Sequence, residues 1–210
     1  MAGQELIRVP IFPLAGALLF PRTQLPLHIF EPRYRAMVRD ALAGEKLIAM
    51  VQPRDSSEPP ALFEIGCLGR IVSSEELGDG RYNIVLEGMH RIRIAREAAV
   101  DTPYRQVDAE CGAFRFEEEA ALPIAQRADL ERECRRYADV LGYIVDWQSV
   151  AQLDDQMLVN GVAQIIPLEV GSKQALLEAT GLLARADLLV QFMQFQRMMP
   201  GGPDGSETMQ

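Results

Sequence analysis

The chain has 210 residues, 48% hydrophobic and 24% charged, with a net charge of −9. This length suits one large domain or one domain with a helical appendage, and needs no disulfide or metal for stability. No run approaches the roughly 18 apolar residues of a membrane span, and the start Met1-Ala-Gly-Gln-Glu-Leu-Ile-Arg8 lacks the pattern of a signal peptide, so a cytoplasmic protein is expected.

The negative charge is unevenly spread. Residues 1–116 carry 14 basic and 15 acidic side chains, whereas 117–210 carry 7 and 15. An acidic half is a poor partner for a polyanion, because nucleic-acid affinity rests on neutralising phosphates. Cys67, Cys111 and Cys134 are odd in number, widely spaced and set among apolar neighbours, as small core residues are. With only His28 and His90 as histidines, no metal site and no cofactor are expected.

Taken in order, Arg8–Leu14 reads as an edge strand punctuated by proline. Pro32 opens a helix over 32–43 with an apolar stripe of Tyr34, Met37, Val38, Ala41 and Leu42, stopped by Gly44. Lys46–Val51 is a buried strand, and Gln52–Pro60 a loop. Two long strands, Glu64–Glu76 and Arg81–Arg96, are joined by Gly78-Asp79-Gly80, a strong hairpin signal. Gly88 interrupts the second strand and marks a bulge or bend. Beyond it Ile92 and Ile94 alternate with Arg91 and Arg93, which are expected, with Arg96, on a solvated outer face. Tyr104–Phe116 reads as the last strand, with Val107, Ala109 and Cys111 on one face.

From residue 117 the period becomes helical. Leu130, Cys134, Tyr137, Leu141 and Ile144 form one stripe of a long helix. Asp154–Ile166 reads as a second helix with Leu158, Val162 and Ile165 inward. Ser172 is expected to cap a third, Lys173–Ala179, ended by Gly181. Leu182–Met199 is a fourth, apolar on more than one side, and Pro200–Gln210 a disordered tail. The division is thus 1–116, 117–199 and 200–210.

Chemistry-bearing motifs are missing: there is no phosphate-binding loop, dinucleotide fingerprint, His-Glu-x-x-His or Gly-x-Ser-x-Gly. Lys46 and Lys173 are poorly placed for a Ser-Lys pair, and a Cys-His pair such as Cys67 with His90 is the one nucleophilic arrangement left open. Two regions invite a binding role. His28, Phe30, Glu31, Arg33 and Tyr34 crowd a strand-to-helix junction; the architectural reading has Glu31 stabilising the helix start and Phe30 and Tyr34 pinning the helix to the sheet. Phe192, Phe195, Met198 and Met199 put soft apolar side chains on several faces of the last helix, either core of a helix buried on two sides or a candidate surface for a partner or a homodimer.

The segments Pro10-Ile-Phe-Pro-Leu14, Leu19-Phe-Pro21 and Leu25-Pro-Leu-His-Ile-Phe-Glu-Pro-Arg-Tyr34 resemble the opening of the LON substrate-binding domain, the N-terminal domain of Lon-type ATP-dependent proteases. The resemblance continues through Phe63-Glu-Ile-Gly66, Gly69-Arg-Ile71, Asp79-Gly-Arg81, Leu86-Glu-Gly88, Arg91-Ile-Arg93 and Lys173-Gln-Ala-Leu-Leu-Glu178, about residues 7–197. It implies an α+β fold: a PUA-like β pseudo-barrel followed by an all-α helical bundle. It also implies recognition of protein clients and a part in assembly. The sequence lacks the ATPase and Ser-Lys protease domains of Lon and looks like a stand-alone LON-domain protein. A non-enzymatic protein-binding module is therefore expected. An RNA-binding PUA-like protein is the alternative.

Overall fold

A computed structural model of the chain describes residues 6–114 and 121–198. Strands β1 (Leu6–Pro13), β2 (Gln24–Ile29), β3 (Leu47–Val51), β4 (Ile65–Glu76), β5 (Tyr82–Glu97) and β6 (Gln106–Glu110) form one sheet in the order β2-β5-β4-β3-β1-β6. The sheet closes because β5 is long enough to serve twice. Its first half pairs with β2 and its second half with β6, while β4 runs along its other side. The expected β-rich half is thus a closed, coiled sheet.

The bend in β5 falls at Gly88, for a reason beyond strand curvature. A Cβ there would lie 1.9 Å from the carbonyl oxygen of Phe20. The loop from β1 to β2 crosses at this point, with the Gly88 N–H donating to Thr23 O and its carbonyl accepting from Arg22 N–H. The β4–β5 turn is as expected: Leu77 N–H donates to Arg81 O, and Gly80 takes a φ of 77°.

β1 departs from expectation because it is not an edge. Its first half pairs antiparallel with β6 and its second half parallel with β3. Pro10 is tolerated because it lies opposite Gln106 at a position that gives no N–H to that strand, the next bond running from Ile11 N–H to Arg105 O just before β6. α1 (Pro32–Ala43) has the expected bounds and buries Tyr34, Met37, Val38 and Ala41 against the sheet. Lys46 precedes β3 rather than opening it, and is exposed with a φ of 62°. β6 ends at Glu110 and a 3-10 turn, Gly112–Phe114, follows, so the expected strand is shorter; Phe116 lies outside the described residues.

The helices are α2 (Ile124–Leu141), α3 (Trp147–Ala151), α4 (Asp155–Ile165), α5 (Val170–Glu178) and α6 (Gly181–Met198). α2 buries Leu130, Cys134 and Tyr137 as the stripe predicts. Left-handed Gly142 (φ 68°) then ends it, so Ile144 is fully exposed rather than part of the stripe. α3 is too short to carry a period and was not expected. The Asp154 carboxylate caps α4, accepting from Met157 N–H at 2.8 Å. α4 buries Leu158, Val159 and Ala163, and Ile165 points outward at 78% exposure, against expectation. α5 starts at Val170 after Glu169, which leaves Ser172 inside the helix, and Gly181 begins α6.

The halves share a core. Leu18, Phe20, Ile65 and Phe114 of the β half pack in one cluster with Leu130, Leu158, Leu176 and Leu189. Polar groups fix the register between the halves. Asn160 donates to Pro21 O, Gln174 to Ile65 O and Lys173 to Gly16 O, and Arg185 of the helical half holds Asn160 in place through its Oδ1. Burial lowers the pKa of Lys173. The boundary expected at 116 falls outside the described residues.

Candidate protein-binding site

An apolar groove of about 500 Å³ opens on the helical half. Cys134, Tyr137 and Ala138 of α2 form one wall, and Leu158, Val162 and Ile166 the other. Tyr143, Val145 and Trp147, from the turn after α2 and the start of α3, roof one end, and Met193 of α6 lies at the base. The chain folds this way locally because Gly142 ends α2 abruptly. The Tyr143 N–H then donates back to Ala138 O, and Asp146 caps α3 through Gln148 and Ser149 N–H. Arg127 holds the far end of α3 by donating to Leu153 O and to Asp155.

Among the described residues no charged side chain lines the groove, although the Arg135 guanidinium lies 4.4 Å over the Trp147 ring. Its polar atoms are the Cys134 thiol, two tyrosine hydroxyls and the Trp147 ring N–H. Burial pushes the Cys134 thiol up to about 12, so it is not a nucleophile at neutral pH. The Tyr137 hydroxyl is taken by Gln196, which also donates to Pro167 O and ties α6 to the groove wall. At the rim Tyr143 is 58% exposed, and Ile165 and Met157 are also exposed. Contiguous exposed apolar surface around a concave, uncharged interior is the physical signature of a docking site.

The sequence-predicted residues fall elsewhere. Phe192 packs against the helical core, whereas Phe195 and Met198 are 58% and 77% exposed. Phe195 lies two residues from groove-lining Met193, on the far side of the helix by its 100° step per residue. Met199 lies outside the described residues. The groove itself was missed because its lining comes from four separate segments, each ordinary alone.

At the β2–α1 junction Tyr34 does pin the helix, its ring 4.3 Å from Phe12 and the Arg33 guanidinium 4.7 Å over it. Phe30 does not, being 61% exposed. Glu31 occupies the N-cap position without a side-chain capping bond and pairs with Arg33 at 3.0 Å. His28 Nδ1 bonds Asn83 Oδ1 at 2.7 Å; because the Asn83 amide donates to Glu75, the imidazole nitrogen is the donor.

The arginine stretch is not a free basic stripe. Arg91 is fully buried, contrary to expectation, and donates to the carbonyls of Leu177 and Ala179 at 2.8 Å with its guanidinium over the Phe114 ring. Arg93 sits 3.6 Å from Glu64, and Arg96 pairs with Asp108, whose pKa is lowered by Arg8 and Arg96. The three thiols are buried core groups, as expected, and Cys67 has no solvent exposure. A buried thiol offers a substrate no nucleophile.

These features define a mixed α+β domain, and comparison supplies its class. The chain belongs to the ATP-dependent protease La (LON) substrate-binding domain family, whose model matches residues 8–194. It is 25% identical over 198 residues to Lon protease 2 of Myxococcus xanthus and 30% identical over 204 residues to Lon protease 2 of Sorangium cellulosum, covering 90% and 87% of this chain. The chain spans about a quarter of the length of those relatives, 24% in both cases. In structure it is similar to the N-terminal domain of Mycobacterium avium complex Lon protease, with TM-score 0.68 and 17% identity, covering 90% of this chain and 98% of that one. A Lon N-terminal domain protein from Xanthomonas campestris gives TM-score 0.65 and 20% identity, covering 92% and 99%. Among the described residues no helix is long and apolar enough to cross a membrane.

Proposed function

We propose that the chain is a non-enzymatic protein-binding module that holds an apolar segment of a client protein in the helical groove. The observation that carries this is the uncharged groove rimmed by exposed Tyr143, Met157 and Ile165. Its membership of a substrate-binding domain family supports it. Burial of one leucine- or phenylalanine-sized side chain contributes about 1.5–3 kcal/mol, roughly ten- to hundredfold in affinity. Burial of Arg91 within the fold, and the pairing of exposed Arg93 and Arg96 with Glu64 and Asp108, speak against the RNA-binding alternative. Phe195 and Met198 remain the candidates for a second contact, with a partner or another copy.

The test is fluorescence anisotropy of a labelled, permanently unfolded polypeptide titrated with the protein. Ile165→Glu puts a charge on the groove rim without touching the core, and is expected to weaken binding about tenfold or more. Ile124→Glu, at a residue 90% exposed and outside the groove lining, is the control and should bind as wild type. Equal affinity of the two variants would move the site off the groove.

A further inference from the structure

Two free strand edges of the sheet are built differently. In the β2–β5 pair Gly88 N–H donates to Thr23 O, so Leu25, Leu27 and Ile29 turn their backbone groups toward β5 and Gln24, Pro26 and His28 turn theirs outward. Pro26 has no N–H to offer, and Gln164 of α4 donates to the Gln24 carbonyl at 2.7 Å. That edge is closed to further pairing.

β4 is different. It pairs with β3 only from Cys67 to Arg70, the Ile71 N–H to Lys46 O bond being the last. Beyond that, Val72–Glu76 has β5 alone as a neighbour, with Ser73 opposite Val85, Ser74 opposite Ile84 and Glu75 opposite Asn83. Because Leu77 N–H donates to Arg81 O, Ser73 and Glu75 exchange bonds with β5, and Ser74 and Glu76 direct their N–H and C=O away from it; Val72, between Ile71 and Ser73, is the extra residue of a bulge and has no partner on β5. All five residues are exposed, and the stretch contains no proline. Among the described residues, no hydrogen bond reaches these outward groups from another element. Glu75 and Glu76 put a carboxylate on each face of the strand; among the described residues, Glu75 accepts from the Asn83 amide alone.

We propose that the outer edge of β4 at Val72–Glu76 is a second binding surface, where an extended client segment carrying Lys or Arg adds as a further strand. The backbone supplies the ladder, and the two glutamates select a basic segment over an acidic one. This rests on the reading that the chain binds proteins, but not on the groove.

The probe is a fluorescein-labelled ten-residue peptide alternating lysine with valine or threonine, titrated with the full chain at physiological salt. Ser74→Pro removes one outward N–H without touching the β4–β5 ladder. It is expected to weaken binding at least tenfold, while Ser74→Ala binds as wild type. N-methylation of the peptide at alternate residues should abolish binding to the wild-type protein, which keeps the test decisive even if Ser74→Pro does not fold. Combined Glu75→Gln and Glu76→Gln should weaken binding and flatten its salt dependence. The proposal is overturned if the peptide does not bind, if N-methylation or the Glu changes have no effect, or if Ser74→Pro folds and binds normally. It also fails if sedimentation shows a dimer that Ser74→Pro dissociates, since a second copy then covers the edge. The Ile165→Glu variant should bind this peptide normally; loss there alone would place the peptide in the groove and sink the edge proposal while sparing the groove.

Discussion

Arg91 brings a full charge to a position with no solvent exposure, and its surroundings explain how the fold tolerates it. The guanidinium meets the last carbonyls of α5, Leu177 and Ala179, at the helix end where a cation is favoured, and lies 4.4 Å above the Phe114 ring. Arg91→Met leaves those carbonyls buried without their charged donor. It is expected to cost about 3 kcal/mol, or roughly 10 °C in Tm, in thermal unfolding followed by circular dichroism. Arg91→Lys should restore little, because a compact, strongly hydrated ammonium on a shorter stem does not lie over the Phe114 ring as the planar guanidinium does. Loss of less than about 1 kcal/mol in Arg91→Met would show the contacts to be incidental. The alternation in β5 correctly puts Ile92 and Arg91 on opposite faces. What it does not show is that the helical half covers the second face, since strand periodicity reports direction and not what a later segment lays there. Gly88 is similar: its bend is legible, but the Phe20 carbonyl that forbids a Cβ belongs to a loop far away in sequence.

Among the elements, α6 shows most plainly how helical pattern becomes surface. Leu182, Ala186, Leu189 and Met193 form a buried stripe at four-three-four spacing, and Phe195 and Met198 lie off it, exposed. The sequence correctly shows a helix apolar on several sides, and the two stripes together explain why neither stands out. Tertiary packing alone decides which is covered, by α2, α4 and α5. Phe195→Ser and Met198→Ser are therefore expected to change stability by no more than about 0.5 kcal/mol. Met193→Ala should cost about 2–4 kcal/mol in urea denaturation. A loss at Phe195 equal to that at Met193 would show that the outward stripe is covered in solution by another copy. The same limits explain Ile144 and Ile165, which fit a stripe on paper. Gly142 ends α2 before Ile144, and the inward face of α4 centres on Val159 and Ala163 rather than Val162 and Ile165.

In the whole molecule, the change of period near residue 117 suggests two units, yet their junction has the character of an interior. Phe20 and Leu18 of the β1–β2 loop sit in the helical core, and the Phe20 ring is stacked 5.0 Å from the Arg185 guanidinium. Asn160, fully buried, links Pro21 O to Arg185, and Gln52 donates to both Val170 O and Gln174. Opening the halves would strand these groups in place, at about 1–3 kcal/mol for each one left without a partner or water. Water entering an opened junction would offset part of that, but not the loss of the shared apolar cluster. The two halves are therefore expected to unfold as one cooperative unit. Trp147 is the single tryptophan, and it sits in the helical half, so its fluorescence reports that half alone. Circular dichroism reports both. Coincident urea transitions by the two probes are the expected result, and Asn160→Leu should shift both by the same amount. If fluorescence instead melts first and only its midpoint responds to Asn160→Leu, the halves are separable domains, and the groove belongs to a unit that folds on its own.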